Sequence, residues 1–298
     1  MERRTFGKTD MKVSVLGFGG AEVGYSEATP ETVDRLLGTA LDAGLNVIDT
    51  AECYNISEEL IGSTMSHRRN DFYLFTKCGH SSGLSREDWD PRMLELSIDR
   101  SLKRLKTDYV DTIQLHSCSE EILRKGDVIE VLERAKEKGK TRYIGYSGDS
   151  TDALYAIKTG AFDTFETSVN IADQEAIELT IPEAVKRGMG IIAKRPIANV
   201  AWNYDSKPDN DYYHEYWERF KELPYNFLKG DLTEAVEKAL RFTLTVPGVH
   251  TAIVGTAKAN RWIENAELAN KGNLSEDEYH KIRSIFQEAV QPDWVGQV

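Results

Sequence analysis

Four side chains of this sequence have the types needed for proton-coupled chemistry on a carbonyl, and they lie at or just past short apolar runs. Asp49 falls at the end of NVIDT, Tyr54 follows five residues later, Lys77 closes FYLFTK, and His116 closes YVDTIQLH. Hydride reduction of a carbonyl leaves negative charge on oxygen, so a proton donor must be poised there. A tyrosine, with a pKa of about 10, is a reluctant acid near neutrality. A lysine cation beside it is expected to lower that value by about 1–3 units, with an aspartate holding the lysine in place and charged. A neutral histidine would polarise the carbonyl oxygen and orient the substrate. On this reading Tyr54 is the acid–base, and Asp49, Lys77 and His116 tune it. Singly, such residues are turn formers, packing or solvated tails. Their meaning lies in equivalent placement.

For these groups to meet, consecutive strand ends must converge. SVLGFG, NVIDT, FYLFTK, YVDTIQLH, TRYIGYS, FDTFETSV, MGIIAK and HTAIVG are eight strand-like runs with helical patterns between most of them. Thr29 and Pro30 read as N-cap and first residue of a helix ending near Gly44, with Val33, Leu36, Leu37, Ala40 and Leu41 as its buried stripe. Asp90 and Pro91 open another, with Leu94, Ile98, Leu102 and Leu105 inward. VIEVLERAKEKGK buries Val128, Val131, Leu132 and Ala135 and solvates its Lys/Glu face. Strand–helix units imply parallel pairing, and eight imply an α/β fold closed into a (β/α)8 TIM barrel, whose chemistry gathers at the C-terminal strand ends.

An open dinucleotide-binding sheet would need G-x-G-x-x-G after the first strand. Gly17-Phe18-Gly19-Gly20-Ala21-Glu22 puts Glu22 at the third glycine, and no helix is expected before Thr29. RRTFGKTDMKV reads as an N-terminal β-hairpin capping the barrel bottom. The stretch 196–231, after the seventh run, is too long for an ordinary connection and carries Trp202, Tyr204, Tyr212, Tyr213 and Trp217, as a lid or binding loop would. Within it HEYWERFKEL reads as a helix on the barrel wall. No linker divides residues 1–298, so one domain is expected.

A net charge of -12 over 298 residues argues against a nucleic-acid partner. No apolar run approaches the roughly 18 residues of a membrane span. MERRTFGKTDMK has no apolar core of a signal peptide, and three cysteines suit a reducing compartment, so the cytoplasm is expected. Cys53, Cys78 and Cys118 flank Tyr54, Lys77 and His116. With His80 they match no familiar zinc spacing, so an oxidation-sensitive pocket lining is expected rather than a metal.

DTAECY, SEELIG, the T-K of FYLFTK, DYVDTIQLH, GKTRYIGYS and IVGTAKANRWIEN, in this order and spacing, resemble the aldo-keto reductase superfamily over nearly the whole chain. The resemblance implies a barrel that binds an extended nicotinamide cofactor without a Rossmann fold, NADPH in preference to NADH. It implies the tetrad Asp49, Tyr54, Lys77 and His116 with Tyr54 as general acid, and a small-molecule aldehyde or ketone as substrate. It matches Ser147 to the serine on the nicotinamide carboxamide and assigns Gly20, Ala21, Pro196 and Ile197 to the cofactor. Glu166 stands where a glutamine is expected; a carboxylate can accept from the carboxamide NH2 but cannot donate to its oxygen. Gly148 replaces an asparagine, and Lys194 an aromatic that stacks on the nicotinamide. Lys194 and Arg195 would offset Glu166 or meet a phosphate.

Thr256, Arg261 and Asn265 match the adenosine-phosphate site, where Arg261 could form a fork with the 2′-phosphate; Gly255 replaces a common lysine. The 196–231 segment matches a loop that folds over the cofactor, and Tyr25 and Trp89 are expected to shape the substrate pocket. Two rivals stay open: a cofactor-binding regulatory or partner protein of the same fold with little turnover, and a Schiff-base aldolase using Lys77. The individual carbonyl substrate and the oligomeric state are not legible.

Overall fold

All eight strand-like runs form strands in a computed structural model that describes residues 1–258 and 260–297. Two short strands come first, β1 (Arg3–Thr5) and β2 (Lys12–Ser14). The barrel strands are β3 (Leu16–Gly19), β4 (Val47–Asp49), β5 (Tyr73–Cys78), β6 (Val110–His116), β7 (Thr141–Ser147), β8 (Thr164–Ser168), β9 (Gly190–Lys194) and β10 (Thr251–Gly255). They pair in chain order, all parallel, and β10 closes on β3 with Ala252 opposite Leu16. This is the expected (β/α)8 barrel.

Alternation along a strand sends every second side chain into the barrel. In the lower half these are Val47, Phe75, Ile192 and Ile253, which form a buried cluster with Phe6, Met11 and Val13 of the antiparallel β1–β2 hairpin. Phe6 stacks on Phe75 with ring centroids 5.7 Å apart. The hairpin therefore fills the barrel floor with side chains as well as capping it. Each such burial is worth about 1.5–3 kcal/mol. Two residues further up the same inward faces come Asp49, Lys77 and Lys194, at the opposite end.

The helices start where their caps sit. Thr29 Oγ1 accepts from the Thr32 N–H at 3.3 Å ahead of the helix Pro30–Asp42, and Asp90 Oδ1 accepts from the Met93 N–H at 2.9 Å ahead of Pro91–Leu105. Each cap contributes about 1 kcal/mol. The predicted stripes are buried, except that Leu102 is only partly so.

One expectation fails: a helix, Ala21–Tyr25, follows β3 directly, well before Thr29. Five residues are too few to show a periodic stripe. The dinucleotide fingerprint still fails, because Glu22 occupies the third-glycine position and the sheet is closed. In the 196–231 segment three 3₁₀ turns surround the helix His214–Glu222, which buries Tyr216 and Arg219 against the barrel. No helix among the described residues is long and apolar enough to cross a membrane.

Candidate active site

Lys77 is fully buried at the top of β5, where its ammonium meets three acceptors. Asp49 Oδ2 takes a short hydrogen bond, the Thr50 carbonyl lies at 3.1 Å, and Glu166 Oε1 forms an ion pair at 3.3 Å. Burial alone would lower the lysine's pKa, but Asp49 and Glu166 together outweigh it and hold Lys77 well above its usual value. Burial and the Glu166 charge push Asp49 well above the ordinary carboxylate range, against the pull of Lys77. A Schiff-base lysine must be neutral to attack a carbonyl. Lys77 is held as a cation, which disfavours the aldolase reading.

Tyr54 is presented by the turn after β4, with Lys77 Nζ 5.3 Å from its ring centroid. The ring meets His116 edge to face at 5.7 Å and Tyr25 at 6.3 Å. The Lys77 charge pulls the phenol's pKa down, as expected, but does not bring it below its ordinary value. Burial raises it; Lys77 opposes, but Asp49, Glu166 and Cys53 push with burial, and the phenol ends above 10. Burial is the largest of these effects, and the Asp49 and Glu166 charges add to it.

His116 ends β6, and burial with the Lys77 and Lys194 charges holds its imidazole well below the usual pKa, hence neutral. Its Nδ1 lies 3.4 Å from Cys53 Sγ. Burial and Glu52 push the Cys53 thiol up to about 12, so it stays protonated. A thiol donating to Nδ1 goes with a ring proton on Nε2, the tautomer that faces the barrel mouth with a donor; the direction of this contact follows the tautomer. We expect kcat/KM for reduction to lack an acid limb at the ordinary histidine pKa of about 6.5. Rates measured from pH 5.5 to 8 check this, and a limb at pH 6–7 that Tyr54→Phe does not abolish would contradict a neutral His116.

Glu52, Cys53 and His116 bring three ligand-type atoms within 4.8 Å of one another. The Glu52 oxygens, however, accept the backbone N–H groups of His80 at 3.1 Å and Cys53 at 3.0 Å. Burial and the Glu58 charge push this carboxyl up to about 8. Glu52 thus braces the turn that carries Tyr54. Of the three cysteines only Cys53 lines the mouth; Cys78 and Cys118 are buried in the core, which corrects the expected three-cysteine lining.

The residues expected at a cofactor are distributed round the same rim. Buried Ser147 Oγ and Asn265 Nδ2 have no hydrogen-bond partner among the described residues, although such atoms are rarely left unpaired. A carboxamide and an adenine would each satisfy one of them. Gly20 donates its N–H to the Asp49 carbonyl at 2.7 Å, just before Ala21 opens its helix. Gly255 pairs with Gly19 at the end of β10. Beyond them a cavity of about 490 Å³ is lined by Arg35, Lys258, Asn260, Arg261 and Glu264. Thr256 Oγ1 accepts from the Lys258 N–H at 3.0 Å. These donors and cations fit a nicotinamide dinucleotide.

Two departures find physical partners. A Cβ at Gly148 would stand 2.7 Å from the Tyr146 ring, whose hydroxyl is fixed by donating to the Cys118 carbonyl at 2.7 Å. An asparagine would not fit there. Lys194 pairs with Asp149 at 2.7 Å rather than with Glu166. Together with Ser168 Oγ and Arg195, Lys194 also donates to the Gln297 carbonyl. Pro196 accepts from Thr243 Oγ1 at 2.9 Å, and Ile197 leads into the 3₁₀ turn Ala198–Asn203.

At the rim Tyr25 is 66% exposed and donates to the Cys53 carbonyl at 2.9 Å. Trp89 meets His80 edge to face at 5.6 Å, and His80 meets His116 at 5.5 Å. Sequence reasoning missed Gln114, Glu52, Arg35 and Lys258. Gln114 was within reach, since strand alternation puts it on the same face as His116. Arg35 carried no signal, for it looks like any arginine on the polar face of a helix.

The family model described as Aldo/keto reductase family matches residues 15–287. An oxidoreductase of Bacillus subtilis (strain 168) is 28% identical over 310 residues, covering 97% of this chain and 98% of its own. L-galactose dehydrogenase of Arabidopsis thaliana is 26% identical over 315 residues, covering 99% and 97%. Among solved structures, the holo form of an aldo-keto reductase from Bacillus halodurans matches with a TM-score of 0.81 at 25% identity, covering 99% of each chain.

Proposed function

The chain belongs to the aldo/keto reductase family, and on that footing we propose that it reduces an aldehyde or ketone to the alcohol with a nicotinamide cofactor, NADPH before NADH. The observation that carries this reading is Tyr54, set beside the Lys77 cation and the neutral His116 at the barrel mouth. The cofactor, when bound, supplies the hydride. Tyr54 gives its phenolic proton to the oxygen on which charge develops, and His116 Nε2–H hydrogen-bonds the same oxygen. Lys77 steadies the phenolate left behind, and Asp49 keeps Lys77 in place. Ser147 and Asn265 would hold the carboxamide and the adenine. Arg261, with Arg35 and Lys258, would receive the 2′-phosphate that NADH lacks.

The test is titration with NADPH and NADH by quenching of tryptophan fluorescence, followed by a panel of aldehydes and ketones. NADPH should bind more tightly than NADH and be consumed on addition of a carbonyl. Failure to bind either cofactor would end this reading, and binding with no turnover across the panel would favour a partner protein of the same fold. Arg261→Ala should weaken NADPH about tenfold, the value of one charged hydrogen bond, and leave NADH within about twofold. Equal losses for both cofactors would remove Arg261 from the 2′-phosphate.

A further inference from the structure

Glu166 is a buried carboxylate that the reduction described above does not use. It stands on β8, separated from β5 by two strands, yet its Oε1 lies 3.3 Å from Lys77 Nζ. Its Oε2 accepts from Gln114 Nε2 at 2.8 Å, and the same nitrogen lies 3.4 Å from Asp49 Oδ1. One amide thus spans both carboxylates. The room for this crossing comes from β7. At Gly145 a Cβ would meet Thr164 Oγ1 at 2.1 Å and Gln114 Cγ at 3.0 Å, so a side chain there would drive Gln114 and β8 apart. An ammonium has three donors. Those of Lys77 face Asp49, the Thr50 carbonyl and Glu166.

We propose that Glu166 is a positioning residue: as a second counter-ion it draws the Lys77 ammonium away from the Tyr54 phenol and keeps Tyr54 a proton donor. The part of Tyr54 in turnover rests on the reductase reading; the coupling of Glu166 to Tyr54 does not. The groups that act on Tyr54 are Lys77 from β5, Asp49 from β4, Glu166 from β8, His116 from β6, Cys53 in its own turn, and Tyr25 from the helix after β3. Lys77 is the cation among them that favours the phenolate, and Glu166 competes for it. Removing the Glu166 charge makes the phenol easier to ionise. Each unit by which its midpoint falls raises the phenolate fraction about tenfold at any pH below that midpoint.

The experiment incorporates 3,5-difluorotyrosine at position 54, which brings the phenol's ionisation into an accessible range, and follows it by fluorine NMR. With Glu166→Gln the midpoint should fall by at least about one pH unit. With Glu166→Asp, which keeps the charge, it should stay near that of the parent. Equal midpoints in parent and Glu166→Gln would overturn the proposal. This readout needs no turnover, so a chain that reduces no carbonyl would defeat the reductase reading while leaving the midpoints to judge Glu166. In the unlabelled protein, Glu166→Gln should shift the basic limb of the reduction pH profile to lower pH, where Tyr54 loses its proton sooner. A tenfold weaker Kd with an unchanged pH profile would make Glu166 a cofactor contact and sink the proposal. Should Glu166→Gln not fold, Glu166→Ser removes the same charge and is read in the same way.

Discussion

Tyr54→Phe should lower carbonyl reduction by about 10²–10⁴-fold, the usual share of a positioned general acid, while the Kd for NADPH stays within about twofold. The substitution removes the hydroxyl and keeps the ring that packs on His116 and faces Lys77. The loss should fall on kcat, because the missing proton transfer belongs to the transition state. Single-turnover oxidation of bound NADPH is the direct measurement. Turnover near that of the parent would remove Tyr54 from the mechanism.

Lys77→Met should damage stability as well as turnover. It leaves Asp49 and Glu166 buried, with Gln114 between them and no cation between. Removing one member of a buried charge set costs about 3–5 kcal/mol. Urea unfolding at pH 8 should report a loss of that order, and the loss should shrink as the pH falls toward about 5. The sign follows from the carboxylates. Asp49 is already raised above its ordinary range with Lys77 present. Without the lysine the folded form binds protons more readily than the unfolded chain, so acid favours the folded variant. A loss independent of pH would mean that the two carboxylates do not face one another. Lys77→Met combined with Glu166→Gln should recover part of the stability, since only one buried acid remains.

The barrel was legible because its signals are local. Eight apolar runs, two N-caps at Thr29 and Asp90, and helical stripes such as Val33 to Leu41 each speak for their own segment. The four candidate site residues were legible because strand ends are legible, and a closed barrel gathers its strand ends. What escaped depends on several elements at once. That Glu166 reaches Lys77 requires the missing side chain of Gly145 on an intervening strand. That Lys194 answers Asp149 requires the bend after β7. The rise in the Tyr54 phenol is a balance of burial and opposed charges, and a list of neighbouring residue types cannot weigh it. Cys78 was misread by adjacency: it follows Lys77 in sequence, but strand alternation turns it to the opposite face, into the helices.

The floor of the barrel has a consequence for how the protein is made. Phe6, Met11 and Val13 leave the ribosome well before Ile192 and Ile253, part of the cluster that receives them. At about 5–20 residues per second, roughly 12–50 s separates Val13 from Ile253. Throughout that interval the hairpin has no complete floor to enter, and its apolar side chains stay open to solvent and to other nascent chains. The hairpin thus emerges long before its floor is complete, and its wait is where a chaperone would find much to hold.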